Sequence, residues 1–361
     1  MKLKNLVVVV LLLSMPSFAL GQDVRREIHF PDLPNGRTLK CDLHMHTVFS
    51  DGQVWPTLRV DEAWREGLDA ISITDHIEHQ PFKRDIPTAH NRPYEMAQGL
   101  AREKSILLIR GAEVTRETPP GHFNAIFLQD VNPLDTKDFY EVFEQAHRQN
   151  AFVTWNHPGW QGPERGRWGQ EQTTLYERKW MHAIEICNEN EYYAEAHGWA
   201  LEKNLVLVGY SDIHSPSYDH LSRTVENHRT LTLILARDKT VESLREALEA
   251  GRTAVWYRNQ LIGREPELAA LFAACVQIRP PHARSSRDVC AEVVNVSELD
   301  IELESTGSAR PAKIRLPARS TSLVRFEQPG EDAQKVDLEY RATNFVTAPD
   351  RRLEVRLAVP F

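Results

Sequence analysis

Four cysteines in 361 residues, none spaced Cys-x-x-Cys, leave neither a zinc-ribbon pattern nor a redox pair. Basic residues are not in excess. The 43 Lys and Arg stand against 51 Asp and Glu, a formal net charge of −8, which argues against a nucleic-acid polymer as partner. The unbroken apolar run Leu6–Leu13 is too short to span a bilayer, so stable membrane insertion is not expected. The Gly-rich stretch 159–169 has no Gly-Lys-Ser/Thr ending and is not a nucleotide P-loop. No serine or cysteine stands out as a nucleophile, and there are no repeats or low-complexity segments.

The apolar run near the start reads instead as an export signal. Lys2 and Lys4 precede it, and Ser17-Phe18-Ala19-Leu20-Gly21 closes it with small residues before a cut after Gly21. A periplasmic or secreted protein starting near Gln22 is expected. Export permits disulfides. Cys41 and Cys187 sit in apolar runs and read as core residues, whereas Cys275 and Cys290 flank a Pro-rich basic loop and are the expected pair.

Hydrophobic content of 41% and charged content of 26% are those of a globular protein, and the length suits one large domain with a smaller addition. Residues 1–21 read as signal, 22–37 as connector, 38–262 as the large domain and 263–361 as a helical linker with a small β domain. Within the large domain, short apolar β runs at 38–43, 68–73, 105–109, 123–128, 151–155, 181–187, 205–210 and 230–236 alternate with helical stretches at 56–67, 93–104, 135–150, 192–204 and 241–251. In the first of these helices Leu58, Val60, Ala63 and Trp64 form the apolar face. Residues 160–172 suit neither strand nor helix. The rhythm argues a parallel barrel or a doubly wound sheet. Beyond residue 265 short alternating runs separated by Gly, Pro and Ser turns predict a β sandwich.

The β runs end in ionisable clusters: His44-x-His46 with Asp51, Thr74-Asp75-His76, Gly111-x-Glu113, Asn156-His157 and Ser211-Asp212-x-His214, with His122 opening another run. On an extended chain residues i and i+2 point to one side, so His44 and His46 offer two imidazoles to one point. Singly, each histidine reads as an ordinary surface or core residue. As a set at the strand ends, where α/β folds gather ligands, they read as a metal site. Six imidazoles with the carboxylates of Asp51, Glu113 and Asp212 suit Mn, Zn or Fe and can hold two to three divalent ions. Clustered ions activate a bridging hydroxide and clamp a phosphoryl centre; amide or ester hydrolysis is the alternative chemistry. Asp75 and Arg84 are the candidate catalytic residues. Asp75 either orients a ligand imidazole or caps a turn. Arg84 belongs, with His79, Lys83, Arg116, Arg165, Arg167 and Arg223, to loop cations of which one or two can pair a phosphate. Trp160 and Trp168 can wall a leaving-group pocket, and Trp155 reads as core.

Taken in order over about residues 38–260, these motifs resemble the PHP (polymerase and histidinol phosphatase) superfamily. The resemblance implies a distorted (β/α)7 TIM-like barrel with a di- or trinuclear centre and phosphoesterase activity on a small organic phosphate ester. It implies one ion held by His44, His46, Glu113 and Asp212, a second by Glu113, His122 and His157, and a third by Asp51, His76 and His214. Asp51 stands where some members carry His. The signal, the strand at Arg252–Trp256 and the β tail resemble most the secreted phosphodiesterase branch. Phosphomonoesterase activity is the alternative, and a non-catalytic periplasmic metal- or ligand-binding protein is a third reading.

Overall fold

The computed structural model describes residues 24–87, 89–217, 227–285, 287–327 and 335–360. The expected signal segment and Arg223 lie outside them. The barrel half contains β1 (Arg37–Asp42), α1 (Pro56–Glu66), β2 (Ala70–Ile73), α2 (Arg92–Glu103), β3 (Leu107–Val114), β4 (Phe123–Ile126), α3 (Phe139–Arg148) and β5 (Phe152–Trp155). It continues with α4 (Gln170–Glu177), β6 (Ala183–Asn188), β7 (Glu191–Tyr192), α5 (Ala194–Glu202), β8 (Val206–Tyr210), β9 (Leu231–Ala236), α6 (Val241–Glu249), β10 (Thr253–Tyr257) and β11 (Gln260–Gly263). The alternation is that of an α/β barrel, and it is distorted. Strands β1, β2 and β3 are parallel, as are β5, β6 and β8, but β4 runs antiparallel to both β3 and β5, and β9 antiparallel to β1. Reversal of β4 has a consequence for the site. It brings the residue at the start of β4, His122, to the end where β3 and β5 finish.

Local chemistry sets the element boundaries. Helix α1 starts on a proline at its first position, and Gly67 ends it in the left-handed conformation (φ 93°) that glycine adopts without a Cβ clash. The Asp138 carboxylate accepts the Glu141 N–H at 2.9 Å, so α3 begins later than the expected residue 135. Within the stretch expected to be irregular, the Gln172 side chain accepts the Gly169 N–H at 3.1 Å and donates to Pro120 O at 2.7 Å, and this seeds α4.

Helix α1 buries part of the face expected of it, Val60 and Ala63 lying in the core, and a polar face besides. Leu58 and Trp64 are half-buried, while Arg59, Glu62 and Glu66 are buried. The reason is that α1 packs against backbone carbonyls as well as against the apolar core. Arg59 is 0% exposed and donates to His46 O (2.9 Å), Ile213 O (2.9 Å), His214 O (2.8 Å) and Ser215 O (2.9 Å), with Glu62 Oε2 at 2.7 Å as its counter-ion. It thus ties the segment after β1 to the segment after β8. The barrel closes there: Met45 bridges Ile213, and the Asp212 N–H donates to His44 O at 3.0 Å. A second buried arginine, Arg229, joins Asp42 at the end of β1 (3.0 Å) to Glu66 at the end of α1 (2.9 Å).

The remaining elements are α7 (Glu265–Cys275), β12 (Val276–Ile278), β13 (Ala283–Arg284), β14 (Asp288–Asn295), β15 (Ile301–Ser305), β16 (Lys313–Leu316), β17 (Ser320–Glu327), β18 (Lys335–Ala348) and β19 (Arg351–Pro360). They form the expected sandwich: β12, β13 and β17 pair with β14, while β16, β15, β18 and β19 make the facing sheet. Burial alternates residue by residue along β14, as a strand with one core face requires. The second sheet is not separate from the barrel. Strand β18 pairs with β11 in parallel, Leu261 opposite Phe345, so one sheet crosses the expected boundary at 262–263.

The expected Cys275–Cys290 pair is corrected, because all four cysteines are free. The register explains it. Val276 lies opposite Asn295 and the Val296 N–H donates to Cys275 O, so Cys275 meets the chain just past β14, six positions along from Cys290. At about 3.3 Å per residue that separation exceeds the roughly 7 Å limit for a bridge.

Removing the Arg59 guanidinium leaves Glu62 a buried charge without its counter-ion and takes one donor from each of four carbonyls. Arg59→Met is expected to lower the unfolding free energy by about 3–5 kcal/mol, read by urea titration of metal-free protein.

Candidate metal centre

The site is built where the strands end. Beyond β1 the chain stays extended, and His44 and His46 turn to one side, both 0% exposed, while Met45 turns to the other and packs in the core. Glu113, on β3 and also 0% exposed, faces them: its Oε2 lies 3.3 Å from His44 Nε2 and 3.2 Å from His46 Nε2. Asp212, just past β8 with φ at 50°, brings Oδ1 to 3.1 Å from His44 Nε2 and 2.8 Å from His46 Nε2. Its left-handed backbone, like that of His157 (φ 25°), places strained residues at the site.

Around Glu113 the cluster widens. Its Oε1 accepts from Asn156 Nδ2 at 2.9 Å and lies 3.1 Å from His122 Nδ1 and 3.4 Å from His157 Nε2, and its Oε2 is 3.0 Å from His76 Nδ1. On the outer side Asp51 meets His214 Nε2 at 3.2 Å and His76 Nε2 at 3.5 Å. Three groups have donor atoms close enough to share an ion: His44, His46, Glu113 and Asp212; His46, Asp51, His76 and His214; and His76, Glu113 and His122. Eight of the nine candidate ligands fall within these groups, His157 being the ninth. The first group has the expected membership. In the other two, His76 stands beside Glu113 and His122 as well as beside Asp51, and His46 adjoins the outer group. His157 reaches the cluster through Glu113 and, at 3.7 Å, Asp212.

Electrostatics follows from this crowding. Burial pushes the Glu113 carboxyl up, but His76 and His44, with hydrogen bonds from His122 and His157, outweigh it and hold the group well below the usual range. Asp212 is likewise opposed by burial and held low by His44 and His46. Burial disfavours charged His44, yet Asp212, Glu185 and Glu113 prevail and raise its pKa well above the ordinary value. His46, His157 and His214 are also raised, against burial, by neighbouring carboxylates, whereas for His122 burial wins and the pKa falls.

A metal suits these residues. His46 Nε2 and Asp212 Oδ1 are 2.8 Å apart but not aligned for a hydrogen bond, and both are buried without a hydrogen-bond partner, as is Asp51 Oδ1. Lone pairs that converge on a common point rather than on one another are what shared cations need, and imidazole with carboxylate is a fitting donor set.

The two candidate catalytic residues are not among these groups. Asp75 accepts from Thr47 N–H and Oγ1, each at 2.6 Å, and from Ser50 Oγ at 2.7 Å. Ser50 Oγ is in turn 3.3 Å from His46 Nδ1, so Asp75 holds the loop that carries His46 and acts through it. Arg84 is exposed on the turn at 81–85 and does not line the cavity over the cluster. Lys83 is exposed on the same turn, Arg116 pairs with Glu78, Arg165 donates to Thr118 O, and Arg167 pairs with Glu164. Trp155 is buried core and Trp160 is 48% exposed beside His122 and His157. Sequence reading missed Glu185, which fixes His44 Nδ1 (3.2 Å) and the His157 N–H (2.9 Å). Its signal was there: a lone carboxylate inside the apolar run Ala183-Ile184-Glu185-Ile186-Cys187.

A crystal structure at 2.20 Å of a two-domain protein from Bacteroides vulgatus, containing a predicted PHP-like metal-dependent phosphoesterase, is 42% identical. The match covers 94% of this chain and 100% of that one with a TM-score of 0.88. A proposed metal-dependent phosphoesterase from Bifidobacterium adolescentis is 17% identical over 58% of this chain and 95% of that one, TM-score 0.42. An amidohydrolase from Chromobacterium violaceum, with sulfate and no metal, is 15% identical over 50% of this chain and 89% of that one, TM-score 0.37. A family model described as an Ig-like domain matches residues 276–358. No curated protein matches the chain.

Glu113 touches two of the three groups, so Glu113→Gln is expected to lose most bound metal. Glu185→Gln disturbs the orientation of His44 and the anchoring of the His157 backbone, removes no candidate ligand, and is expected to weaken affinity about 10- to 100-fold. Because the metal-free imidazoles of His44, His46, His157 and His214 sit above their ordinary pKa, binding must displace their protons. Affinity therefore falls as pH is lowered from neutral. Metal analysis after dialysis at graded pH checks all three.

Proposed function

The chain belongs to the PHP-like metal-dependent phosphoesterases, and from that premise we propose that it is a phosphodiesterase. His44, His46, Glu113 and Asp212 would hold one ion, and Asp51, His76, His122, His157 and His214 would share the rest with Glu113 and His46. Two to three divalent ions, Mn, Zn or Fe, fit this number of imidazoles. Bound there, they supply an activated water and polarisation of the phosphoryl oxygens. The protein's own part is to hold these donors rigid through Glu185, Asn156 and the Asp75–Ser50 contact, and to present a cavity of about 650 Å³ over them.

The preference for a diester rests on one observation. Among the described residues lining that cavity there is no lysine or arginine; the charged groups are Asp51, Glu189, Glu191 and Asp212, with five histidines. A monoester dianion rewards guanidinium forks, whereas a diester carries one negative charge and needs room for two substituents. The volume suits a small-molecule ligand with both. An exported location, proposed from the Lys2, Lys4 and Leu6–Leu13 pattern, accords with a small organic phosphate ester as substrate.

The metal-loaded enzyme is expected to turn over bis(p-nitrophenyl) phosphate with a kcat/KM about tenfold or more above that for p-nitrophenyl phosphate. Both rates should vanish with chelator and return with divalent metal. A faster monoester overturns the proposal.

A further inference from the structure

The cavity has one wall that the metal centre does not use. Trp160 follows His157-Pro158-Gly159, is 48% exposed, and sets its ring 5.6 Å from that of His122. Tyr193 lies against the same loop: a Cβ on Gly159 would come within 2.5 Å of its ring, so only glycine lets the two approach. Beside Tyr193 stands the turn between β6 and β7. The Tyr193 hydroxyl donates to Glu191 Oε2 at 2.9 Å. Glu189 is held in the left-handed region (φ 45°), its N–H donating to Tyr210 O at 3.2 Å and its carbonyl accepting from Thr230 Oγ1 at 2.6 Å. The backbone at Glu189 is therefore fixed, and the residue lines the cavity. Two aromatic residues, Trp160 and Tyr193, and two acidic ones, Glu189 and Glu191, thus line this cavity, and among the described residues no lysine or arginine lines it.

Resting on the phosphodiesterase reading, we infer that this wall selects a diester whose non-leaving substituent carries a cationic, ammonium-type group. The cation would sit on the Trp160 face, with Glu189 and Glu191 as counter-charges. A ring quadrupole attracts a cation, and exposed carboxylates add to the attraction; the same carboxylates repel a polyanionic substituent.

The test compares p-nitrophenyl phosphorylcholine with methyl p-nitrophenyl phosphate. In each, water adds to phosphorus and the bond to p-nitrophenolate breaks, so the two differ only in the retained substituent. For the metal-loaded wild type, kcat/KM should favour the choline ester about tenfold, mostly through KM. The ratio should fall towards one in Trp160→Ala and in the double variant Glu189→Gln, Glu191→Gln. A wild-type ratio near one overturns the inference, as does a ratio unchanged in both variants. A thymidine p-nitrophenyl ester preferred over the choline ester also overturns it, in favour of base stacking. A measurement on the wild type alone guards against misfolded variants. Tetramethylammonium should inhibit hydrolysis competitively and neopentyl alcohol should not, and equal inhibition by both again overturns it. If p-nitrophenyl phosphate outpaces both diesters while tetramethylammonium still competes, the diester reading falls and the cation site stands.

Discussion

A fully buried carboxylate, Glu113, sits within hydrogen-bond reach or close to it of five imidazoles, those of His44, His46, His76, His122 and His157. A charge taken out of water needs compensation, and burial by itself pushes this carboxyl towards its neutral form. The surrounding histidines reverse that, and in return His44, His46 and His157 hold protons that free imidazoles would release near neutral pH. The cluster is thus a store of positive charge arranged around acids, and divalent ions are natural replacements for those protons. Every strand that reaches this end of the barrel contributes to the compensation or to holding it.

The framework is arranged to keep that end from relaxing. Arg59 spends its donors on carbonyls that belong to the His46 and Ser211–Ser215 segments, so the two ligand-bearing loops share one guanidinium. Arg229 does the same for the ends of β1 and α1, and Asp42 also accepts from Ser211. Asp75 gathers Thr47 and Ser50. These are buried, multiply bonded groups, whose value lies in fixing geometry more than in net stability. Among the described residues the sandwich contributes no side chain to the cavity, but the β11–β18 pairing makes it an extension of the barrel sheet rather than a hinged attachment.

Much of the site was legible along the chain because its signals are local. The His44-x-His46 spacing, Asp75-His76, and Ser211-Asp212-x-His214 each close an apolar run, and strand periodicity alone puts such residues at a common end. The same holds for α1, bounded by Pro56 and Gly67, and for β14, whose alternation is explicit. Harder to see were residues whose purpose depends on a partner far away. Arg59 reads as an ordinary polar helix residue until the carbonyls of residues 213–215 are beside it. Arg84 reads as a phosphate ligand until its loop proves to point outward.

By itself, then, the order of residues determined most of the strands and helices, α4 excepted, and which side chains carry metal-binding chemistry, because those depend on neighbours within a few positions. Tertiary structure alone decided the reversal of β4 that delivers His122, the sharing of His76 between acids, the work of Glu185 and Arg59, and the failure of Cys275 to reach Cys290. These depend on register and on contacts between residues as many as 156 positions apart, and no local pattern encodes a distance across the fold.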